Sequence, residues 1–235
     1  MKVGVTLPQF RWEAEPSLEA ARRADELGID GVFVFDHLWP MGEPDRPILA
    51  AMPLLGAVAA VTRRTMVGSL VMRVGLVPDG VLVEELAVVE DISGGRLIAG
   101  IGTGDRLSAE ENRAYGVPYP PAGERRRSLE RCARELAGRG MVVWIGAGAT
   151  LAPATRQVAL DTGAAVNVWN TGVASVEAAR GVEVTWGGPV RGGVEVIASR
   201  LRELAAAGAS WAVCAWPESL DDVAEAAARL DGGPE

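Results

Sequence analysis

Val3-Gly4-Val5-Thr6-Leu7, continued by Pro8-Gln9-Phe10, is the first strand and loop of the chain. A short run of β-branched and apolar residues reads as a buried strand. In a doubly wound, dinucleotide-binding sheet that first strand runs into a glycine-rich phosphate turn. Here Thr6-Leu7-Pro8-Gln9-Phe10 holds no glycine. A stretch of helical period follows, Ser17–Leu27, then Gly28 and a second apolar run, Val32–Phe35.

The same unit recurs down the chain. Strands are expected at Val3–Leu7, Val32–Phe35, Met66–Val71, Leu97–Ile101, Val142–Ile145, Ala165–Trp169, Val182–Trp186 and Trp211–Ala215. Helices are expected at Ser17–Leu27, Ile48–Val61, Val81–Ile92, Glu124–Leu136, Pro153–Thr162, Ser175–Ala179, Val194–Ala207 and Leu220–Leu230, with Gly28, Gly138, Gly163 and Gly208 as left-handed caps. Strands that alternate with helices, without hairpin signals, pair in parallel. A closed (β/α)8 TIM barrel takes ~250 residues, so 235 residues make a compact one. No linker or composition shift divides the chain, and one α/β domain over residues 1–235 is expected.

Composition narrows the function. Asp and Glu number 31 against 23 Lys and Arg, a net charge of −8, which argues against a nucleic-acid or anionic-membrane surface. Lys2 is the only lysine, a bias spread along the whole chain. No apolar run approaches the ~20 residues of a membrane span, and the first residues lack a signal-peptide pattern. The two cysteines, Cys132 and Cys214, sit in no metal or redox spacing and read as packing residues, so a reducing, cytoplasmic setting and no metal are expected.

Barrel ligands bind where the strands end, in the βα loops. Asp36-His37 follows strand two, and His37 is the only histidine, so any imidazole acid–base step must use it; a structural histidine at a strand end is the other reading. Trp39, Trp169 and Trp186 also fall at such ends, either to wall a flat ligand or to seal the barrel top. Gly102-Thr103-Gly104-Asp105 follows strand four and opens the longest loop; Gly146-Ala147-Gly148 follows strand five and leads to a helix N-terminus suited to an anion. Neither cluster completes the dinucleotide fingerprint. Asn170 and Thr171 are candidate contacts after strand six, while Arg125, Arg126 and Arg127 read as a solvated helix face.

Taken in order, these pieces resemble a known family. Gly31-Val32-Phe33-Val34-Phe35-Asp36-His37-Leu38, Asp91-Ile92-Ser93-Gly94-Gly95-Arg96-Leu97-Ile98-Ala99-Gly100-Ile101-Gly102-Thr103-Gly104 and Val143-Trp144-Ile145-Gly146-Ala147-Gly148 are similar to signature segments of the luciferase-like monooxygenase superfamily. That resemblance implies a barrel that binds the deazaflavin coenzyme F420, or alternatively FMN, and moves a hydride to or from a small organic substrate. It implies ring contact by Asp36, a proton- or charge-handling role for His37, and a proton donor at Asp105, where the deazaflavin-dependent members it resembles have Glu. It further implies a non-proline cis bulge at Ser69, Leu70 and Val71 behind the ring, the cofactor's tail at Gly146–Gly148, and a homodimer. Two segments are shorter than in the family: Leu136–Gly140 runs straight into strand five, and Gly187–Gly193 leaves little material for a lid. A flavin-binding protein without turnover is the alternative those short segments suggest.

Overall fold

A computed structural model describes residues 1–40 and 42–231 of the chain. The single-domain expectation reaches Glu235, so its last four residues lie outside the described part. The strands are β1 (Lys2–Thr6), β2 (Gly31–Val34), β3 (Met66–Ser69), β4 (Met72–Arg73), β5 (Leu97–Gly102), β6 (Val142–Gly148), β7 (Ala165–Trp169), β8 (Val184–Pro189) and β9 (Trp211–Ala215). The helices are α1 (Glu15–Leu27), α2 (Ala51–Val61), α3 (Asp79–Ser93), α4 (Arg106–Ala114), α5 (Ala122–Gly138), α6 (Pro153–Thr162), α7 (Val173–Ala178), α8 (Val194–Ala207) and α9 (Leu220–Asp231).

All strand pairs are parallel, in the order β3-β2-β1-β9-β8-β7-β6-β5-β4. Val67 and Gly68 of β3 also pair with Leu97 and Ile98 of β5, which closes the sheet. The third of the eight staves is split: β3 ends at Ser69, and β4 resumes beside Ile101 and Gly102. The expected (β/α)8 barrel is therefore present. Among the described residues no helix is long and apolar enough to cross a membrane.

Alternation along each strand sends one side chain inward and the next toward the helices. Phe33, Ile98, Trp144 and Trp211 fill the barrel's lower interior, with Phe33 stacked on Trp144 at 5.1 Å and Trp211 edge-on to both. Phe33 has room because Gly4, Gly31 and Gly68 surround it; a Cβ on any of them would lie 2.6–2.9 Å from its ring. Aliphatic residues of the opposite parity form the larger core between sheet and helices. Both cysteines are buried there, and desolvation pushes each thiol up to about 12, in keeping with packing roles.

Three departures from the sequence reading bear on the site. Helix α4 occupies part of what reads as a long loop. Gly28, Gly163 and Gly208 cap their helices with left-handed geometry, but Gly138 is the last residue of α5 and Arg139 caps it. Strand β8 runs from Val184 to Pro189, later than expected, which places Trp186 within the strand.

Candidate active site

At the C-terminal ends of the strands a cavity of about 440 Å³ opens. Phe35, Asp36 and His37 line it from beyond β2, Leu70 and Val71 from the break between β3 and β4, and Gly102–Asp105 from the last residue of β5 onward. Gly146–Gly148, Ala152 and Thr155 line the opposite side, with Asn167 and Trp169 of β7 between. The structure thus brings together most of the residues singled out after the strands, and adds Asn167, Arg73 and Ser108.

The break in the third stave shapes one wall. The Leu70–Val71 peptide is cis, at the position the resemblance implies. Val71 fits against Gly102 and Gly146, where an added Cβ would stand 2.5 and 2.9 Å from Val71 Cγ2. These two glycines are thus required by a neighbouring side chain as well as open to a ligand. Ser69 is buried, and its Oγ donates to Gly100 O at 2.7 Å, so it ties β3 to β5 without lining the cavity. Gly148 has φ +63° and nothing within 4 Å of its missing Cβ. It leaves open space at the foot of α6, whose first amides lack helical partners.

His37 is held from a direction the sequence reading did not foresee. Its Nδ1 lies 2.6 Å from Glu111 Oε1 of α4. Glu111 Oε2 accepts from Leu38 N at 3.0 Å and from Arg73 Nη2 at 2.7 Å. Arg73 also donates through Nη1 to Ser108 O and Asn112 Oδ1. Burial raises the Glu111 carboxyl, but hydrogen bonds from His37, Leu38 and Arg73 more than offset it and hold the group below the ordinary carboxylate range. Asp36 accepts from Arg73 N at 2.6 Å; there desolvation dominates and the carboxyl stands above its ordinary range.

Asp105, the expected proton donor, is the N-cap of α4. Its Oδ1 accepts from Ser108 N and Oγ, while Ser108 Oγ accepts in turn from Asp105 N, a reciprocal capping box. Desolvation at the cavity wall raises its carboxyl, and the Ser108 bonds with nearby His37 outweigh that, so the group is held ionised and below its ordinary range. The geometry gives it a structural task and no proton to donate near neutrality. Arg125, read from the sequence as solvated, turns inward: Nε donates to Thr103 O at 2.8 Å, and the guanidinium lies 4.0 Å from the Tyr119 ring centroid.

Of the three tryptophans expected in the pocket, Trp169 lines it. Trp39 is buried beside Tyr115, with ring centroids 6.1 Å apart, and does not line the cavity. Trp186 points the other way, into the core under the helices, where Nε1 donates to Thr171 O and Arg200 packs on its ring. Asn170 takes φ +50° and donates its amide to Gly187 O; neither it nor Thr171 lines the cavity. Among the described residues no group of three His, Cys, Asp or Glu side chains could hold a metal.

A model described as luciferase-like monooxygenase matches residues 1–209. Over 129 residues the chain is 32% identical to an F420-dependent glucose-6-phosphate dehydrogenase of Beutenbergia cavernae, a match covering 54% of this chain and 36% of that protein. The match thus spans little more than a third of that relative's length. Among solved structures, an F420-dependent secondary alcohol dehydrogenase in complex with an F420-acetone adduct superposes with a TM-score of 0.76 at 11% identity, over 96% of this chain and 97% of that one. The coenzyme F420 dependent tetrahydromethanopterin reductase of Methanopyrus kandleri gives 0.73 at 13%, over 96% and 97%. Those two likenesses are of fold. With the match over residues 1–209 and the barrel closure, the chain belongs to the luciferase-like monooxygenase family of oxidoreductases.

Proposed function

We propose that this chain is an F420-dependent oxidoreductase that transfers a hydride to or from a small organic substrate. The observation that carries the reading is His37, anchored through one ring nitrogen by a buried carboxylate, at the edge of a cavity backed by Leu70 and Val71. The F420-dependent relatives support the cofactor class. The residues present fit it: Phe35 and Trp169 offer flat apolar surface, and open space beside Gly148 leads to the α6 N-terminus, suited to a phosphate-bearing tail. When bound, the deazaflavin supplies the carbon that takes or gives the hydride. His37 would hold or take the substrate's proton at Nε2, Leu70 and Val71 would support the cofactor from their cavity wall, and Phe35 and Trp169 would exclude water. Asp36 and Gly102–Gly104, which line the same cavity, would contact the cofactor.

Titration of the purified chain with F420 and, separately, with FMN tests the choice of cofactor by absorbance and fluorescence. Saturable F420 binding with weaker FMN binding is expected. Tight FMN binding without F420 binding would favour an FMN-dependent reductase or monooxygenase. If neither binds, the reading as an enzyme falls, and binding of F420 that no substrate ever reduces or oxidises leaves a binding protein without turnover.

The chain's setting is the cytoplasm, where its two buried thiols stay reduced. Its partner is a second copy of itself. Helix α2 carries no charged residue from Ala51 to Val61, with Pro53 and Ala60 exposed, and the neighbouring α3 exposes Val81, Val88 and Ile92. The uncharged α2, beside apolar residues that α3 exposes among its acidic ones, suits burial against another chain; light scattering that reads a monomer at micromolar concentration would overturn this.

A further inference from the structure

We infer that Glu111 is the positioning residue for His37, fixing which ring nitrogen carries the proton in the neutral imidazole. Leu38 N–H and the Arg73 guanidinium can only donate, and both end on Glu111 Oε2, at 3.0 and 2.7 Å. A carboxylate engaged that way, with its side chain wholly buried beside a guanidinium, stays ionised and has no proton to give. Oε1, 2.6 Å from His37 Nδ1, therefore accepts, and Nδ1 is the donor. The neutral ring keeps its lone pair on Nε2, the nitrogen left for the cavity that His37 lines.

The charged groups around the ring are Asp36 from beyond β2, Arg73 from β4, Asp105 before α4 and Glu111 within α4. Arg73 compensates Glu111 directly, and Asp105 is engaged by Ser108, so Glu111 alone of these groups contacts an imidazole nitrogen through a hydrogen bond. Helix α4 thereby links the barrel to the chemistry: its N-cap fixes the helix, and its second turn presents Glu111 to the loop after β2. The inference deepens the proposed role of His37 as the proton-handling group, yet its test uses neither cofactor nor substrate.

Because His37 is the only histidine, chain labelled with ¹⁵N,¹³C-histidine gives one imidazole to read. At about pH 9, above the ordinary histidine range, Nδ1 is expected to show a protonated, pyrrole-type shift and Nε2 a pyridine-type shift. Glu111→Gln sharpens the test. Leu38 N and Arg73 Nη2 still need an acceptor, so the amide oxygen turns to them and the amide NH₂ faces Nδ1. Nδ1 must then accept, and the two nitrogens are expected to exchange their shift types. A purely structural glutamate would leave the tautomer as it was. The inference is overturned if the wild-type neutral ring carries its proton on Nε2, or if folded Glu111→Gln keeps the wild-type pattern. Should Glu111→Gln fail to fold, the wild-type spectrum decides by itself. F420 affinity enters none of these outcomes, so failure of the cofactor reading leaves them unchanged.

Discussion

Arg73 and Glu111 meet as a buried ion pair, Nη2 to Oε2 at 2.7 Å, with side chains 3% and 0% exposed. One comes from the short β4 and the other from α4, so the pair fastens the helix to the broken third stave. Removing one partner of a buried pair leaves the other charge uncompensated, at a cost of about 3–5 kcal/mol. Arg73→Met is expected to destabilise the chain by that order in urea unfolding. Arg73→Met with Glu111→Met is expected to lose much less than the sum of the single changes. Additive losses would contradict the pairing.

Gly102 is expected to resist even one added methyl. Its Cβ would stand 2.5 Å from Val71 Cγ2, too close without movement of the bulge. Gly102→Ala should cost about 1–3 kcal/mol, the range for overpacking. Val71→Ala in the same chain should recover part of it, as measured by urea midpoints. A neutral Gly102→Ala would mean that the glycine serves a ligand alone.

Asp36 should make the chain less stable as pH rises. A carboxyl whose folded value is raised, here by desolvation, binds more protons in the folded chain than in the unfolded one. Its stabilising contribution is complete below about pH 3.9, the unfolded value, and is lost as pH climbs through the raised folded value. Asp36→Asn keeps an acceptor for Arg73 N and removes the titration. Its unfolding free energy is expected to decline less from pH 4 to 7 than the wild type's; equal slopes would contradict the desolvated carboxyl.

Asp105 separates capping from acid catalysis. Asparagine caps a helix about as well as aspartate, whereas alanine costs about 1 kcal/mol. Asp105→Asn is expected to keep stability within a few tenths of a kcal/mol and to lower hydride-transfer turnover less than ~10-fold, while Asp105→Ala loses stability. A fall of ~10²–10⁴ in Asp105→Asn turnover, the size of a general-acid contribution, would restore the proton-donor role.

The barrel was legible because alternating strand and helix periods survive in single segments, and most strand bounds fall within two residues of those read from the sequence. The site was legible only where it lies at strand ends. Trp186 shows the limit: whether a residue near a strand end faces in or out depends on register against its neighbours, and here Thr185 and Gly187 take the inward parity. Asn167, inward and in the cavity wall, was missed for the same reason. Glu111 sits 74 residues from His37, and no local pattern links them. One signal was available, since Asp105-x-x-Ser108 ahead of Ala109-Glu110-Glu111-Asn112-Arg113-Ala114 is a helix start.

The proposed function stands or falls on whether a deazaflavin lies against His37. With the single histidine labelled, F420 can be added stepwise to the full chain while the imidazole resonances are followed. One saturating change in the Nε2 and Cε1 signals, complete near one equivalent per chain, is expected. F420 that fails to bind, or that binds while the His37 signals stay in place, would contradict it.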